Sequence, residues 1–204
     1  KPRVIVWTPH DITAWLSILK EKYPKELELV LKEVKYFLTT AEPCSISRQK
    51  QLEKTFWITH LNVYASVDWF ASIPCKCWKK HLTKTHYVEL FDKDKNLIGT
   101  KWTWRLVFTT LFDRSTPMVR YMLDDYITVK DCQCEYGFDT EVIPHWRYEL
   151  TIDIWDKIYW PLDFEEVIYK YWMFMNYEVK INSENIEIVL EKYCIWDENY
   201  DLDW

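Results

Sequence analysis

Glycine is the residue that this sequence most conspicuously lacks. The 204 residues include two glycines, Gly99 and Gly137, whereas average usage of about 7% predicts roughly 14. Dinucleotide-binding loops, Walker A loops and the nucleophile elbow of hydrolases each need several glycines at fixed spacing. The shortage therefore excludes the enzyme classes that depend on these loops.

Other features are also absent. No stretch approaches the ~20 apolar residues of a membrane-spanning helix, and no N-x-S/T acceptor for glycosylation occurs. The net charge is −6, with 26 basic and 32 acidic residues, so general nucleic-acid binding is not expected. The five histidines show no metalloprotease spacing, and no serine or cysteine lies in a nucleophile motif. The sequence thus predicts no catalytic residue, no cofactor and no enzyme.

Aromatic residues are abundant instead. The chain contains 13 tryptophans, 14 tyrosines and 9 phenylalanines, and 49% of its residues are hydrophobic. A chain of this length buries about 70% of its unfolded surface and does not need cross-links to fold. Most of the tryptophans are therefore expected in the core, although aromatic side chains also line ligand pockets and protein-binding surfaces.

Helical patterns dominate the chain as far as Val67. Thr8 precedes Pro9 and an acidic third residue, which is typical of a helix start. Apolar residues from Leu27 to Leu38 recur at helical spacing after Pro24. A third helix is predicted after Ser47, with one face running from Leu52 to Val67.

The remaining chain also favours helices. We predict one from Thr116 to Ile127, one after the capping box Asp163–Glu166, and a last one from Ser183 to Tyr193. The stretch 86–112 fits either a strand or a helix, because Trp102, Trp104, Leu106 and Phe108 alternate. The predicted fold class is mainly α. The alternative is α+β with a small sheet around 86–108, extended by 148–154.

The cysteine count is even, and the sequence contains two separate Cys-x-Cys pairs. This pattern favours disulfides in an oxidising compartment, although six cysteines allow 15 pairings. We predict that all six are paired: Cys44, Cys75, Cys77, Cys132, Cys134 and Cys194. The alternative is a zinc site of Cys75, Cys77, Cys132 and Cys134, in which His81 or His86 could substitute for a cysteine.

The two cysteine pairs lie in similar surroundings. Tyr64 and Asp68 precede the first pair at the same distances as Tyr121 and Asp125 precede the second. This similarity predicts two related helical modules, 1–112 and 113–204, packed as one globule and cross-linked by disulfides. A catalytic pair of Asp68 and Asp125 is the alternative reading of these acids, and surface or capping roles are favoured over it.

Paired Cys-x-Cys motifs in an aromatic-rich chain of this size resemble the bicycle proteins of aphids. The resemblance rests on Cys75-Lys76-Cys77, Cys132-Gln133-Cys134 and the repeat around them. Bicycle proteins are salivary effectors delivered into plants. The resemblance implies a secreted protein that acts on a plant host and has no known catalytic site. The chain starts at Lys1 rather than Met, which fits removal of a signal peptide.

A basic stretch follows the first cysteine pair. No acidic residue occurs between Ala71 and His86, and a candidate partner-binding set lies within it: Lys76, Trp78, Lys79, Lys80 and Lys84. Such a patch could dock an acidic partner, anionic lipid or RNA. A solvated loop face is the simpler interpretation.

Together these patterns predict a secreted effector that binds an unknown host protein and catalyses no reaction. The first alternative is a structural or accessory subunit of a large viral or organellar assembly. The second is a metal-dependent enzyme at the cysteine pairs. Neither the oligomeric state nor the molecular target is indicated by the sequence.

Overall fold

A computed structural model describes residues 3–66, 70–112, 115–154, 157–171, 176–181 and 185–191. Its helices are α1 (Pro9–Lys22), α2 (Pro24–Glu33), α3 (Ile46–Phe56) and α4 (Pro161–Tyr171). The strands up to residue 99 are β1 (Val4–Trp7), β2 (Tyr36–Thr39), β3 (Thr59–Asn62), β4 (Ile73–Pro74), β5 (Lys80–His81), β6 (His86–Phe91) and β7 (Leu97–Gly99). The later strands are β8 (Trp102–Thr110), β9 (Tyr121–Asp131), β10 (Thr140–Arg147), β11 (Ile152–Ile154), β12 (Lys157–Tyr159), β13 (Asn176–Ile181) and β14 (Ile186–Glu191).

A small parallel sheet organises the chain as far as Asn62. Its strand order is β1-β2-β3, and Ile5, Phe37 and His60 lie side by side across it. Helices α1 and α2 connect the first two strands and α3 connects the last two, as parallel pairing requires a crossover. Phe37 is fully buried against a core built with the helices.

The second layer is a seven-stranded antiparallel sheet with the order β4-β5-β10-β9-β8-β6-β7. One face carries a separate core that includes Leu90, Leu106, Phe108 and Ile127, all fully buried. Successive side chains of a strand point to opposite faces. The alternation of Leu106 and Phe108 along β8 therefore brings both into this core.

A buried ion pair connects α4 to α3, which packs with the small parallel sheet. Glu165 is 1% exposed, and its Oε1 lies 2.8 Å from Nη1 of Arg48 on α3. Its Oε2 accepts a hydrogen bond from the backbone N–H of Ser45. The carboxylate is thus held by a guanidinium and a backbone donor, which offsets the cost of burying its charge.

The expectation of a mainly α fold made of two helical modules is wrong, because antiparallel strands form most of the described chain after Phe70. The α+β alternative fits better, since 86–108 contributes β6, β7 and most of β8. The helix start at Thr8 is confirmed, because its hydroxyl accepts from the N–H of Asp11. A helix was correctly predicted at α4, but it begins at Pro161, two residues before the predicted capping box Asp163–Glu166. Asp163 lies in its first turn and accepts from the N–H of Trp160.

Four predicted helices fail in part or completely. The helix predicted from the apolar pattern Leu27 to Leu38 ends at Glu33, and Tyr36–Thr39 forms β2. The helix predicted after Ser47, with a face from Leu52 to Val67, ends at Phe56, and Thr59–Asn62 forms β3. Val67 lies outside the described residues. The predicted helix through Ile127 is strand β9, whose buried residues Leu123, Ile127 and Val129 are fixed by neighbouring strands. Within the helix predicted from Ser183 to Tyr193, the described residues Ile186–Glu191 form β14. Short apolar runs fit both periodicities, and pairing partners distant in sequence decide between them.

None of the four described helices is both long and apolar enough to cross a membrane.

Candidate metal centre and ligand crevice

Four ligand-type side chains converge where the β4–β5 turn meets the β9–β10 connection. Cys75 and Cys77 lie in the turn, His81 lies on β5, and Cys134 lies in the connection. Their donor atoms all lie within 4.8 Å of one another. Since Cys77 and Cys134 are far apart in the sequence, it is the antiparallel sheet that brings the two cysteine pairs together.

The distances in this cluster fit a tetrahedral metal site. Sγ of Cys134 lies 3.7 Å from Sγ of Cys75 and 3.5 Å from Sγ of Cys77. Sγ of Cys77 lies 3.4 Å from Nε2 of His81. Ligands at the usual Zn–S distance of about 2.3 Å stand roughly 3.8 Å apart in a tetrahedron. The four atoms therefore surround a space of the size that Zn²⁺ takes.

His81 is held in the orientation that a ligand needs. Its ring is fully buried and stacks on Phe138, with centroids 4.4 Å apart. Nδ1 lies 3.1 Å from the backbone oxygen of Thr140. An N–H at Nδ1 donated to this carbonyl leaves the Nε2 lone pair directed at the thiols, the arrangement usual for metal-bound histidine.

The protonation state of the Cys77 thiol depends on its surroundings in the cluster. Burial, followed by hydrogen bonding with Cys75, raises the pKa of the Cys77 thiol to about 12. Without a cation, this thiol therefore stays protonated at neutral pH. A bound divalent metal inverts this balance, because a coordinating thiol loses its proton to the metal.

The remaining cysteines lie apart from the cluster or outside the described residues. Cys132 is 3.7 Å from Nδ1 of His81, on the side away from the other thiols, so His81 takes the place expected for Cys132. Cys44 is buried near the parallel sheet. Cys194 lies outside the described residues. All five described cysteines are present as thiols, and the predicted disulfides stay a prediction.

The structure distributes the predicted basic set over different environments. Lys80 is buried, and Lys79 lies 3.3 Å from Glu141. The Trp78 indole N–H donates to Glu53, and the Lys76 ammonium lies over the Tyr36 ring. Lys84 is exposed. The five residues therefore do not form one solvent-facing patch.

A second candidate region is a crevice at the carboxyl ends of β2 and β3. Asn62 and Tyr64 line it with Glu42, Lys80 and Trp146, and its cavity volume is about 10 Å³. Ligands of open α/β sheets bind beyond the carboxyl ends of the parallel strands. This crevice is therefore the expected ligand site of the fold, although at this volume it holds about one water.

An aspartate stands beside the crevice. The Tyr64 hydroxyl donates to Oδ2 of Asp125 at 2.6 Å, joining β9 to the segment after β3. Burial and the Asp125 carboxylate raise the pKa of Tyr64, so the phenol keeps its proton. The equal spacing before the two cysteine pairs relates Asp125 to Asp68, which lies outside the described residues. The partnership with Tyr64 was missed, because no spacing signal connects two residues so distant in the sequence.

Comparisons with known proteins identify the fold. No family model matches the chain, and no curated protein sequence does. Among similar solved structures is a 2-hydroxyisobutyryl-CoA ligase in its postadenylation state with 2-HIB-AMP, with a TM-score of 0.72 and 13% identity over 93% of this chain and 43% of that one. The anthranilate CoA ligase AuaEII with anthranoyl-AMP gives 0.68 and 9%, covering 97% and 41%. The adenylation domain of a carboxylate reductase from Mycobacterium chelonae gives 0.59 and 12%, covering 93% and 34%.

At these identities the likeness shows the fold, and this chain spans less than half of each similar structure. The fold of adenylate-forming enzymes overturns several expectations. The resemblance to aphid bicycle proteins is wrong. The expected non-catalytic effector, its salivary character and the alternative of a viral or organellar subunit are also wrong, because similar structures are enzymes.

Proposed function

We propose that this chain is part of an enzyme that activates a carboxylate as an acyl-adenylate. The observation that carries the proposal is the match of 93% of the chain to a CoA ligase caught with an acyl-AMP, at a TM-score of 0.72. Because the chain covers 43% of that ligase, its substrates and the rest of its catalytic machinery belong to the proposal as well.

The crevice supports this function with suitable chemistry. It lies at the carboxyl ends of parallel strands, where nucleotides bind in related layer architectures. The Asp125 carboxylate beside it accepts hydrogen bonds, and acidic side chains bind ribose hydroxyls in dinucleotide sites. Tyr64 holds this carboxylate in place through a 2.6 Å bond. We assign Asp125 the role of a ribose acceptor at this crevice.

The test is carboxylate-dependent exchange of labelled pyrophosphate into ATP, measured on the complete gene product with a panel of aliphatic and aromatic acids. We expect exchange with at least one acid. Asp125→Asn should lower it about tenfold or more, because a hydrogen bond to a charged group contributes about 1.5–3 kcal/mol.

A matched control is Asp131→Asn, which removes an exposed carboxylate paired with Lys101 on the same sheet. It should leave the exchange rate unchanged. Folded protein that catalyses no exchange with any acid of the panel would contradict the proposed activity. Equal losses in the two variants would remove Asp125 from the site.

We further propose that Cys75, Cys77, His81 and Cys134 hold a structural zinc ion. Four protein ligands close the coordination sphere and leave no position for substrate, which distinguishes structural from catalytic zinc. The ion would tie the β4–β5 turn to the β9–β10 connection. The secreted location expected from the cysteine count stays a prediction, and reduced, zinc-bound thiols in the isolated protein would argue against it.

A further inference from the structure

Tryptophan occupies backbone positions that normally need glycine. Seven described non-glycine residues have a clearly positive φ, and four of them are tryptophans. The structure describes eight tryptophans, so half of them have this conformation: Trp57, Trp78, Trp102 and Trp146. Only a few per cent of non-glycine residues have a positive φ, and a bulky aromatic residue there is an outlier.

Trp57 stands at the end of α3, with a φ of 56°. Its backbone N–H donates to the Glu53 oxygen, which closes the left-handed cap that helices usually build with glycine. The side chain is 90% exposed. The ring thus makes no packing contribution that would offset the strained backbone.

Trp78 can be compared directly with a glycine in the same molecule. The N–H of Trp78 donates to the Cys75 oxygen at 3.0 Å, and the N–H of Gly137 donates to the Cys134 oxygen at 2.9 Å. Both turns start at a cysteine of the metal cluster, and the φ angles of their last residues are 62° and 82°. The same local structure therefore has glycine in one copy and tryptophan in the other.

The other two positions are equally unusual for an aromatic residue. Trp102 has a φ of 107° and is 73% exposed, and this φ lies beyond the small left-handed region open to other residues. Trp146 has a φ of 68° where the β9–β10 register shifts. A bulge residue with left-handed backbone is normally glycine.

Composition leads to the same conclusion. Thirteen tryptophans and two glycines together make fifteen residues, and average usage predicts about 14 glycines in a chain of this length. The tryptophan surplus therefore has the size of the glycine deficit. One codon, UGA, is read as tryptophan in some genetic codes and as glycine in others. A single difference in decoding accounts for both departures.

We propose that the functional polypeptide carries glycine at positions 57, 78, 102 and 146, because UGA codons there are decoded as glycine. The proposal has a consequence for the ligand crevice. Trp146 lines that crevice and packs edge-on against Tyr64, with centroids 6.5 Å apart. Glycine at this position removes the indole and enlarges the space beside Tyr64 and Asp125. This consequence rests on the proposed nucleotide function.

The direct test is peptide mass spectrometry of the protein isolated from its native cells, together with the codons of its transcript. We expect UGA codons at these four positions and glycine in the corresponding peptides. Tryptophan in those peptides, or UGG codons, would overturn the proposal.

A second test measures folding stability and does not require protein from the native cells. The double variant Trp57→Gly/Trp102→Gly should raise the unfolding midpoint by roughly 2–4 °C per site, since it relieves backbone strain at exposed side chains. The matched control is Trp15→Gly/Trp104→Gly, which changes two half-buried tryptophans packed against the cores and should lower the midpoint. A fall of similar size in both double variants would show that the left-handed positions do not favour glycine.

Binding of AMP distinguishes two proposals: that position 146 is decoded as glycine, and that the crevice beside Tyr64 binds a nucleotide. Trp146→Gly should bind AMP at least tenfold more tightly than the tryptophan form, whereas Trp104→Gly should not. If the native protein carries glycine at position 146 and Trp146→Gly does not bind AMP, the nucleotide crevice is wrong and the decoding stands.

Discussion

The two Cys-x-Cys pairs look alike in sequence but supply the metal cluster unequally. Cys75 and Cys77 both direct their sulfur atoms into it, whereas the second pair contributes Cys134 and leaves Cys132 outside. The difference arises because His81 on β5 supplies the fourth ligand atom of the cluster. Its ring is held in place by Thr140 and Phe138. Spacing alone therefore does not identify ligands, since the sheet register decides which atoms meet.

The largest expected effect separates Cys134 from Cys132. Cys134→Ser removes a ligand and should lower the free energy of unfolding of the zinc-loaded protein by about 4 kcal/mol or more, because structural zinc contributes ~10–16 kcal/mol in small zinc domains. Cys132→Ser should change it by about 0.5 kcal/mol or less. Denaturant unfolding in buffered zinc measures both. Equal losses would erase the distinction between the two cysteines.

Alkylation should separate the same cysteines kinetically. In zinc-loaded native protein, Cys132 should react with iodoacetamide first, because it is partly exposed and makes no metal bond. Cys75, Cys77 and Cys134 should react after a chelator removes the ion, since a coordinated thiolate is protected. Peptide mapping gives the order. Reaction of all four at one rate, with or without chelator, would contradict the assigned ligand set.

The smallest expected effects concern the turns that follow the two pairs. Gly137→Ala should lower the free energy of unfolding by about 1 kcal/mol, because its φ of 82° disfavours a Cβ. The added Cβ would meet no atom within 4 Å, so the cost is conformational. Trp78→Gly should change stability by about 0.5 kcal/mol or less, since relief of strain is offset by the lost Glu53 hydrogen bond. Thermal unfolding of both variants tests this contrast.

The helix starts could be predicted because their signals are local. Thr8 with Pro9 and Asp11 builds a cap from neighbouring residues. Asp163 also signals α4 locally by accepting from the N–H of Trp160, although the helix begins two residues before the predicted capping box. Strand β9 could not be recognised in this way. Leu123, Ile127 and Val129 fit a helical face as well as a strand, and their burial depends on β8 and β10, which are distant in sequence.

The candidate sites were predictable in part. Cys75, Cys77, Cys134 and His81 were all considered as zinc ligands, because Cys and His are the residues that zinc prefers. Their convergence required the sheet. No enzyme was predicted because glycine-rich loops and catalytic motifs are absent, and the similarity of the fold to adenylate-forming enzymes overturns that expectation. Trp57 and Trp102 have the positive φ angles that normally require glycine, although the sequence has no glycine at these positions.

Native mass spectrometry of the purified protein distinguishes a zinc site from disulfides in one spectrum, because the mass reports both the metal and the oxidation state of the thiols. We expect one zinc ion per chain, lost in Cys134→Ser and retained in Cys132→Ser. Cys75, Cys77 and Cys134 should all be alkylated after denaturation with a chelator and without a reductant. A metal-free protein in which these cysteines are joined in disulfides would contradict the zinc site.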